Sequence, residues 1–486
     1  MASILHTPEI MMEVMALSSQ STRVASARVC HLWSELAINE IWCRLDSIIP
    51  LLELLAPIKY DKQGECAFAY QVHYANWQRF ESYAARIKSL KWAGIKELRG
   101  SFHPLSDSII TQLLILRPSK APFFPRLRNI NWVAKSDKAL LQLLALLPKS
   151  VTKPDSYAGS KCSSYVLSGV LDFIRQDYLP LQQISLIHPF HIHQIEYPLS
   201  NLLKGQTQLS QVTIERICSS EKAISVLGGL PNLQAVLKFT DPTPLEDKVI
   251  QWEFRPGYFQ KLETLHFSIS LSQAATAFGS TMPPLLDSVL ICNPHSSPVR
   301  SIDLHLCLTN LMVSCPRLAH LQLELFSTNI IAEQLRFESF APLMHCHGLV
   351  TLSVGHKKPI VLVEENVNEM ARAWPWLTDI SMAADPSECS GTGTSLSIIK
   401  LFATYFHRNL THLGLFFSVD RDEMASYTTS STPFQQLVTL NMGTSAVSSS
   451  DRVAVVEFLA AMLSRTIEIQ IGMGEGSPTL DSMDDP

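Results

Sequence analysis

Leu318-Ala-His-Leu321-Gln-Leu323 is one copy of a short pattern, Leu-x-x-Leu-x-Leu, that recurs along this chain of 486 residues. Its last two apolar positions alternate with polar ones, which predicts a short strand with one buried face. The clear copies start at Leu127, Leu181, Leu262, Leu318, Leu349, Leu377, Leu410 and Leu437. Weaker copies start at Ile87, Leu209, Leu233 and Leu286.

The spacing of the copies indicates a repeat fold. From Leu181 onward, successive copies start 24 to 33 residues apart, close to the spacing of leucine-rich repeats. The intervals 301–314 and 452–464 are apolar and predict helices that cover the strands. The asparagine that such repeats place three residues after the last strand leucine is missing from the clear copies. We therefore predict an α/β fold with an irregular leucine-rich-repeat solenoid, a horseshoe, over residues 87–471.

The composition bounds the class of protein. Hydrophobic residues make up 46% and charged residues 17% of the chain, as expected for a folded, core-rich protein. A formal net charge of -5 argues against nucleic-acid binding. No apolar run approaches the length of a membrane span, and the start of the sequence lacks the pattern of a secretory signal. The ten cysteines are scattered, which predicts reduced thiols and a cytoplasmic or nuclear location.

The first fifty residues predict three short helical pieces. Thr7-Pro8-Glu9-Ile10 has the residue types of a helix start, and Ile10, Val14 and Leu17 form one apolar stripe. Ser18 to Ser21 breaks this helix, a second helix runs from Val24 to Leu36, and a third piece spans Ile41 to Leu45. So small a module has little core of its own. It is equally compatible with a cap on a larger domain and with a partner-binding module.

The order of motifs in this region resembles an F-box. The matching elements are Pro8-Glu9-Ile10, Val14, Val24, Val29-Cys30-x-x-Trp33 and Ile41-Trp42. Segments 41–52 and 77–90 resemble the continuation found in fungal F-box proteins. Thr7 stands where leucine is common, and a Ser-rich connection replaces the usual Asp-Pro turn.

The resemblance implies a domain order and a partner. Residues 1–48 would form a three-helix F-box, and residues 49–86 a helical linker or cap to the solenoid. Eight residues would either pack this module or contact the Skp adaptor and, through it, a cullin: Pro8, Ile10, Val14, Val24, Val29, Cys30, Trp33 and Leu36.

The function that follows is target recognition without catalysis. The chain would be the substrate-recognition subunit of a Skp–cullin–F-box ubiquitin ligase, with an unidentified target protein held by the solenoid. Strand residues between the leucines are candidates for the concave surface: Asn131, Thr264, His266, Gln322, Glu324, Thr439 and Asn441. One alternative is a leucine-rich-repeat scaffold that never enters a ligase. Another is an enzyme whose active site is assembled from dispersed residues.

Several smaller motifs are interpreted as structural. His188, His191 and His193, like His345-Cys346-His347, lack paired cysteine ligands at metal spacing, so we expect neither a metal nor another cofactor. Segments 150–164 and 387–397 predict surface loops. Residues 472–486, which include the Gly-x-Gly-x-Gly run from Gly472, predict a disordered acidic tail.

Overall fold

A computed structural model of the protein describes most of the chain, which divides into two compact units, Met1–Ile217 and Cys218–Pro486. The described residues are 7–60, 65–92, 95–96, 102–103, 105–118, 122–176, 180–214, 217, 220–237, 254–279, 282–327, 333–388, 393–419, 433–445, 447, 451–463 and 467–471. The predicted acidic tail lies outside them. None of the helices within these ranges is long and apolar enough to cross a membrane.

The first unit is built on a parallel sheet with the strand order β1-β4-β7-β8-β9-β10. Two antiparallel pairs, β2-β3 and β5-β6, lie outside this sheet. The strands of the first unit, inside and outside this sheet, are β1 Arg44–Leu45, β2 Ile58–Tyr60, β3 Cys66–Phe68, β4 Ser89–Trp92, β5 Ile95–Lys96, β6 Phe102–His103, β7 Asn129–Ser136, β8 Lys153–Lys161, β9 Gln183–Ile187 and β10 Gln211–Ile214.

Helices precede and separate these strands. The α-helices are α1 Pro8–Leu17, α2 Gln20–Ser26, α3 His31–Cys43, α4 Ile49–Leu52, α5 Trp77–Ala84, α6 Asp107–Ile115, α7 Asp137–Leu146, α8 Ser164–Gln176 and α9 Glu196–Leu203. Two short 3-10 helices span Tyr74–Asn76 and Ile192–Gln194.

The second unit repeats the strand–helix alternation more regularly. Its parallel sheet has the order β11-β12-β13-β14-β15-β16-β18-β20-β21, and β17 pairs with β19 separately. The strands are β11 Ala235–Leu237, β12 Thr264–Ser268, β13 Ser288–Cys292, β14 His320–Leu325, β15 Thr351–His356, β16 Asp379–Met382, β17 Thr394–Ser395, β18 His412–Leu415, β19 Phe417–Ser418, β20 Thr439–Gly443 and β21 Glu468–Ile471. The helices are α10 Glu221–Gly228, α11 Leu271–Phe278, α12 Ser301–Ser314, a 3-10 helix Phe337–His345, α13 Glu364–Ala373, α14 Ile398–Phe406 and α15 Arg452–Met462.

The strand predictions from the leucine pattern are confirmed. Every clear copy and every weaker copy coincides with a strand of a parallel sheet. The pattern leucines point into the core: Leu321 and Leu323 of β14 are buried, and they pair in register with the buried Leu352 and Val354 of β15. The predicted cover 301–314 is α12, and 452–464 contains α15. The fold is therefore leucine-rich-repeat-like within each unit.

One predicted loop is wrong, because segment 150–164 contains strand β8. This strand pairs in parallel with β7 and β9, so it is a full member of the sheet. Its inward positions hold Pro154, Ser156 and Ala158 rather than leucines. Ser156 lies in register with Trp132 of β7, whose indole stacks on Trp92 at 4.5 Å. A search for leucines therefore cannot detect this strand.

The predicted loop 387–397 is also wrong over its carboxyl-terminal part. Thr394 and Ser395 form β17, and both Thr394 and Leu396 are buried. The Thr394 hydroxyl donates to the Ile360 carbonyl at 3.4 Å and accepts from the Leu362 amide at 3.1 Å. Residues 389–392 lie outside the described part of the chain.

The second and third predicted helical pieces differ from the structure. The segment from Val24 to Leu36 is not one helix, because Val29 hydrogen-bonds three residues back to Ser26 and Cys30 is fully extended. Ile41 and Trp42 belong to the same helix as Trp33, and Leu45 begins the sheet instead of ending a helix. Strand β1 was not predicted from the leucine pattern.

Candidate protein-binding surfaces

The N-terminal helices α1, α2 and α3 share a small core. Met11, Met15, Leu36 and Ala37 are buried together, with Ala27, Leu32 and Trp33 packed against them. The helix start at Pro8 agrees with the prediction, although the Thr7 side chain makes no capping hydrogen bond to α1. The apolar stripe of α1, formed by Ile10, Val14 and Leu17, is exposed, and Met11 and Met15 face the core instead.

The structure separates the predicted adaptor contacts into two groups. Leu36 is buried in the core and Trp33 is half-buried against it. The side chains of Pro8 and Cys30 are exposed, as are those of four aliphatic residues whose exposed fractions range from 42% to 62%. We call these four residues the N-terminal apolar surface: Ile10, Val14, Val24 and Val29.

The Ser-rich connection between α1 and α2 is held by its own hydrogen bonds. Ser19 caps α2 by accepting from the Thr22 amide at 3.2 Å. Arg23 reaches back to the end of α1, donating at 2.7 Å each to the carbonyl oxygens of Met15 and Ala16. Because a helix leaves its last carbonyls without intrahelical donors, the Arg23 guanidinium stabilises the end of α1. The departure from the Asp-Pro turn therefore leaves an ordered connection.

Helix α3 is fixed to α5 through side chains. The Arg86 guanidinium, which follows α5, lies 3.3 Å from the Glu35 carboxylate and also donates to Asn39. The rings of Trp42 and Tyr83 lie 4.4 Å apart. The Lys88 amide donates to the carbonyl of Cys43 just before β1 pairs with β4. The N-terminal helices thus join directly onto the first unit.

The outward side of the strands carries the polar residues that the alternation predicts. In the first unit, the half-buried Asn131 amide donates to the carboxylate of Asp155 on β8. In the second unit, Glu324 accepts from the Cys292 thiol at 2.7 Å and from Gln322 at 3.3 Å. The Asn441 side chain accepts from the Gly443 amide at 2.8 Å. The remaining candidates, Thr264, His266 and Thr439, are half-buried.

Prediction missed further outward residues that follow the same alternation. His320 of β14 and Thr351 of β15 lie in one row, with their side chains 2.9 Å apart. Asp379 and His412 continue this row on β16 and β18. Each of them is the first residue of its strand and directly precedes an inward residue, as the chosen candidates Thr264 and Thr439 do, so the alternation rule would have found them.

The outward strand faces of the two units differ in charge. In the first unit, Arg44 and Lys153 occupy outward positions. In the second unit, no lysine or arginine occurs in any described strand of the main sheet, whereas Glu324, Asp379 and Glu468 do. A segment bound across these strands in the second unit meets acidic and neutral side chains.

The histidine motifs do not assemble into a metal site in the described residues, which contain no group of three or more potential metal ligands. His188 is buried and stacks on Phe190 at 6.0 Å between ring centroids. The rings of His191 and His193 stack on each other at 5.5 Å. Burial raises the pKa of the Cys346 thiol, which donates to the Leu318 carbonyl at 3.2 Å. A protonated thiol is a poor metal ligand.

Comparisons with known proteins give likenesses among solved structures alone. No protein-family model and no curated protein matches the sequence. Among solved structures, the chain is similar to the leucine-rich repeat-containing protein LegL7 from Legionella pneumophila. The identity is 14%, the TM-score is 0.37, and the match covers 60% of this chain and 89% of that one. The strands and helices of this chain therefore define its fold.

Proposed function

We propose that this chain is a non-catalytic receptor subunit of a Skp–cullin–F-box ubiquitin ligase. Its N-terminal helices bind the Skp adaptor, and the outward strand faces of its repeats bind a target protein. The chain selects and positions the target, while the ubiquitin transfer itself takes place on other subunits. The N-terminal apolar surface is the observation that carries this proposal.

The reason is energetic. Four aliphatic side chains stay partly in water on a module whose core, in its described part from residue 7 on, is built around four buried residues. Burying apolar surface stabilises a complex by about 25 cal/mol per Å², and exposed apolar patches commonly mark protein-binding sites. The order of residues in this module resembles an F-box, which supplies the identity of the partner.

Binding to a purified Skp adaptor–cullin complex tests the proposal. Val29→Lys in the full chain changes only an exposed side chain, whereas Trp33→Ala would also disturb the core. We expect Val29→Lys to raise the Kd for the adaptor about tenfold, since it places a charge in an apolar contact worth about 1–2 kcal/mol. Tyr165→Lys on α8, where the ring is also exposed, should bind as the wild type does.

Circular dichroism spectra of both variants, compared with the wild-type spectrum, test whether the fold is intact. A folded wild-type chain that does not retain the adaptor overturns the ligase proposal and favours the second function, a repeat scaffold that works outside a ligase. Equal loss of binding in Val29→Lys and Tyr165→Lys also contradicts it, because the N-terminal apolar surface would then have no special role.

A further inference from the structure

Strand β21 is the last strand of the second unit that the structure describes, and it lies at one edge of the sheet. Strand β21 pairs with β20 on one side, and within the described residues no strand pairs with its other side. Natural edge strands are usually protected from other chains by lysine, proline or a bulge on the free edge. The sequence Glu468-Ile-Gln-Ile471 has a single charge, at its first position, and neither lysine nor proline.

The inward residues of β21 are also uncovered. Ile469 lies in register with Leu440 of β20, which is fully buried. Ile469 and Ile471 are 43% and 61% exposed. Terminal repeats of solenoids need a polar outer side to stay soluble. The last described strand carries two isoleucines that are partly exposed.

Helix α15 exposes apolar residues toward the same end. Val453, Val456 and Ala460 are spaced by three and four residues, so they share one side of the helix, and all are exposed. On another side of α15, the Phe458 ring lies 5.3 Å from the Lys400 ammonium of α14. The side with the valines therefore faces away from α14, toward the β21 edge of the unit.

We propose that α15 and β21, which we call the terminal face, bind the terminal face of a second copy of this chain across a two-fold axis. In this arrangement β21 pairs in antiparallel orientation with β21 of the second copy. Setting Gln470 opposite Gln470 of the second copy also sets Ile469 opposite its Ile471. Opposite residues of an antiparallel pair share one side of the sheet, so the isoleucines contact one another.

The two copies of α15 can also pair with each other across this two-fold axis. A two-fold axis normal to the sheet keeps both copies of α15 on one side of it and runs them antiparallel. The alignment that sets Val453 opposite Val456 of the second copy sets Arg452 opposite its Glu457, which pairs opposite charges. Such an interface uses one patch twice and closes at two copies. Strand and helix contacts together are needed to approach the roughly 1,200 Å² of a stable interface.

Sedimentation of the full chain over a wide concentration range tests this proposal, which does not depend on the proposed function. We expect a dimer, and we expect Ile471→Lys to raise its dissociation constant about a hundredfold because the two-fold axis places the lysine in the interface twice. Val313→Lys is the matched control, since Val313 on α12 is 81% exposed and lies away from the terminal face. It should leave the dimer intact.

Two further variants report the geometry. Gln470→Cys should form a covalent dimer under mild oxidation, beyond any formed by the wild type, because antiparallel partners lie within disulfide reach. Arg452→Glu should weaken the dimer, and adding Glu457→Arg should restore it. A wild-type monomer at every concentration overturns the proposal, and so does a dimer that survives Ile471→Lys. Failure of Gln470→Cys to cross-link an otherwise intact dimer overturns the two-fold pairing.

Discussion

At the scale of single residues, Gly443 shows how tightly the chain crosses its own strands. Gly443 lies in β20 with a φ of 52°, in the left-handed region that favours glycine. A Cβ at this position would overlap the carbonyl group of Ala384 and approach the Asp385 carboxylate to 2.8 Å. The segment that follows β16 therefore passes directly over the end of β20, and only glycine permits this approach.

Gly443→Ala is expected to lower the free energy of unfolding of the second unit by about 3 kcal/mol or more, because the backbone must move as well as adopt a strained φ. Gly257 is the matched control in the same unit. It has a φ of 85°, but a Cβ there would meet nothing within 4 Å. Gly257→Ala should lower the free energy of unfolding by only about 1 kcal/mol. Urea unfolding followed by circular dichroism compares the two, and equal losses would contradict the crossing.

At the scale of elements, the ends of the strands lack the asparagine ladder and are held by different polar groups. Asn293, after β13, donates to the carbonyls of Pro294 and Ser297 at 3.1 and 3.0 Å. Ser445, after β20, accepts from the Phe417 amide at 2.7 Å. The missing ladder was read from the sequence as irregularity. The polar residues that replace the ladder, such as Asn293 and Ser445, differ in type and in position from one strand to the next. The repeat pattern therefore could not identify them.

His356 ends β15 and is the titratable member of this set. Its Nδ1 lies 3.0 Å from the Lys358 carbonyl oxygen and 3.2 Å from the Lys358 amide nitrogen. Among the described residues its buried Nε2 has no hydrogen-bond partner. Burial lowers the pKa of His356. The hydrogen bond to the Lys358 backbone opposes this shift, the Lys358 charge adds to it, and the Glu388 and Glu333 charges oppose it.

A lowered pKa means that the folded protein favours neutral His356, while the unfolded chain takes up a proton near the ordinary value of about 6.5. The stabilisation is therefore complete above that value and is lost as the pH falls below it toward the folded pKa, by at most about 1.4 kcal/mol per pH unit. Between pH 7.5 and pH 5, the free energy of unfolding should change less steeply with pH in His356→Gln than in the wild type. The exposed His345→Gln should keep the wild-type slope, and an unchanged slope in His356→Gln would count against this assignment.

The leucine pattern predicted strands well wherever leucines fill the core, and it failed where other residues do so. Strand β8 was missed because Pro154, Ser156 and Ala158 hold the inward positions where the pattern has leucines. The orientation of α1 could not be predicted, because its sequence offers two apolar sides, one with Ile10 and Val14 and another with Met11. Only packing against α3 decides between them. Val29 was predicted as an adaptor contact from the resemblance to an F-box. The spacing of apolar residues in the sequence does not indicate that its side chain is exposed.

At the scale of the whole molecule, the N-terminal helices and the first unit form one continuous structure. Strand β1 is the first strand of the sheet and pairs with β4. The predicted boundary at residue 48 falls at a fully buried isoleucine, Ile48, directly before α4. Arg86 and Tyr83 contact α3 from the side of the repeats. A cut at this boundary therefore removes part of the core of the first unit along with the helices.

Removal of residues 1–48 is accordingly expected to weaken the first unit and spare the second. Strand β4 loses β1, one of its two partner strands, and α5 loses the contacts with α3, so their amides should exchange faster with solvent. Strand β15 belongs to the other compact unit and should keep its protection. Hydrogen exchange of the full and shortened chains measures both regions together, with β15 as the internal control. If β4 and α5 keep their full protection, the helices are an independent module attached to the repeats. If β15 is weakened equally, the two units do not unfold separately.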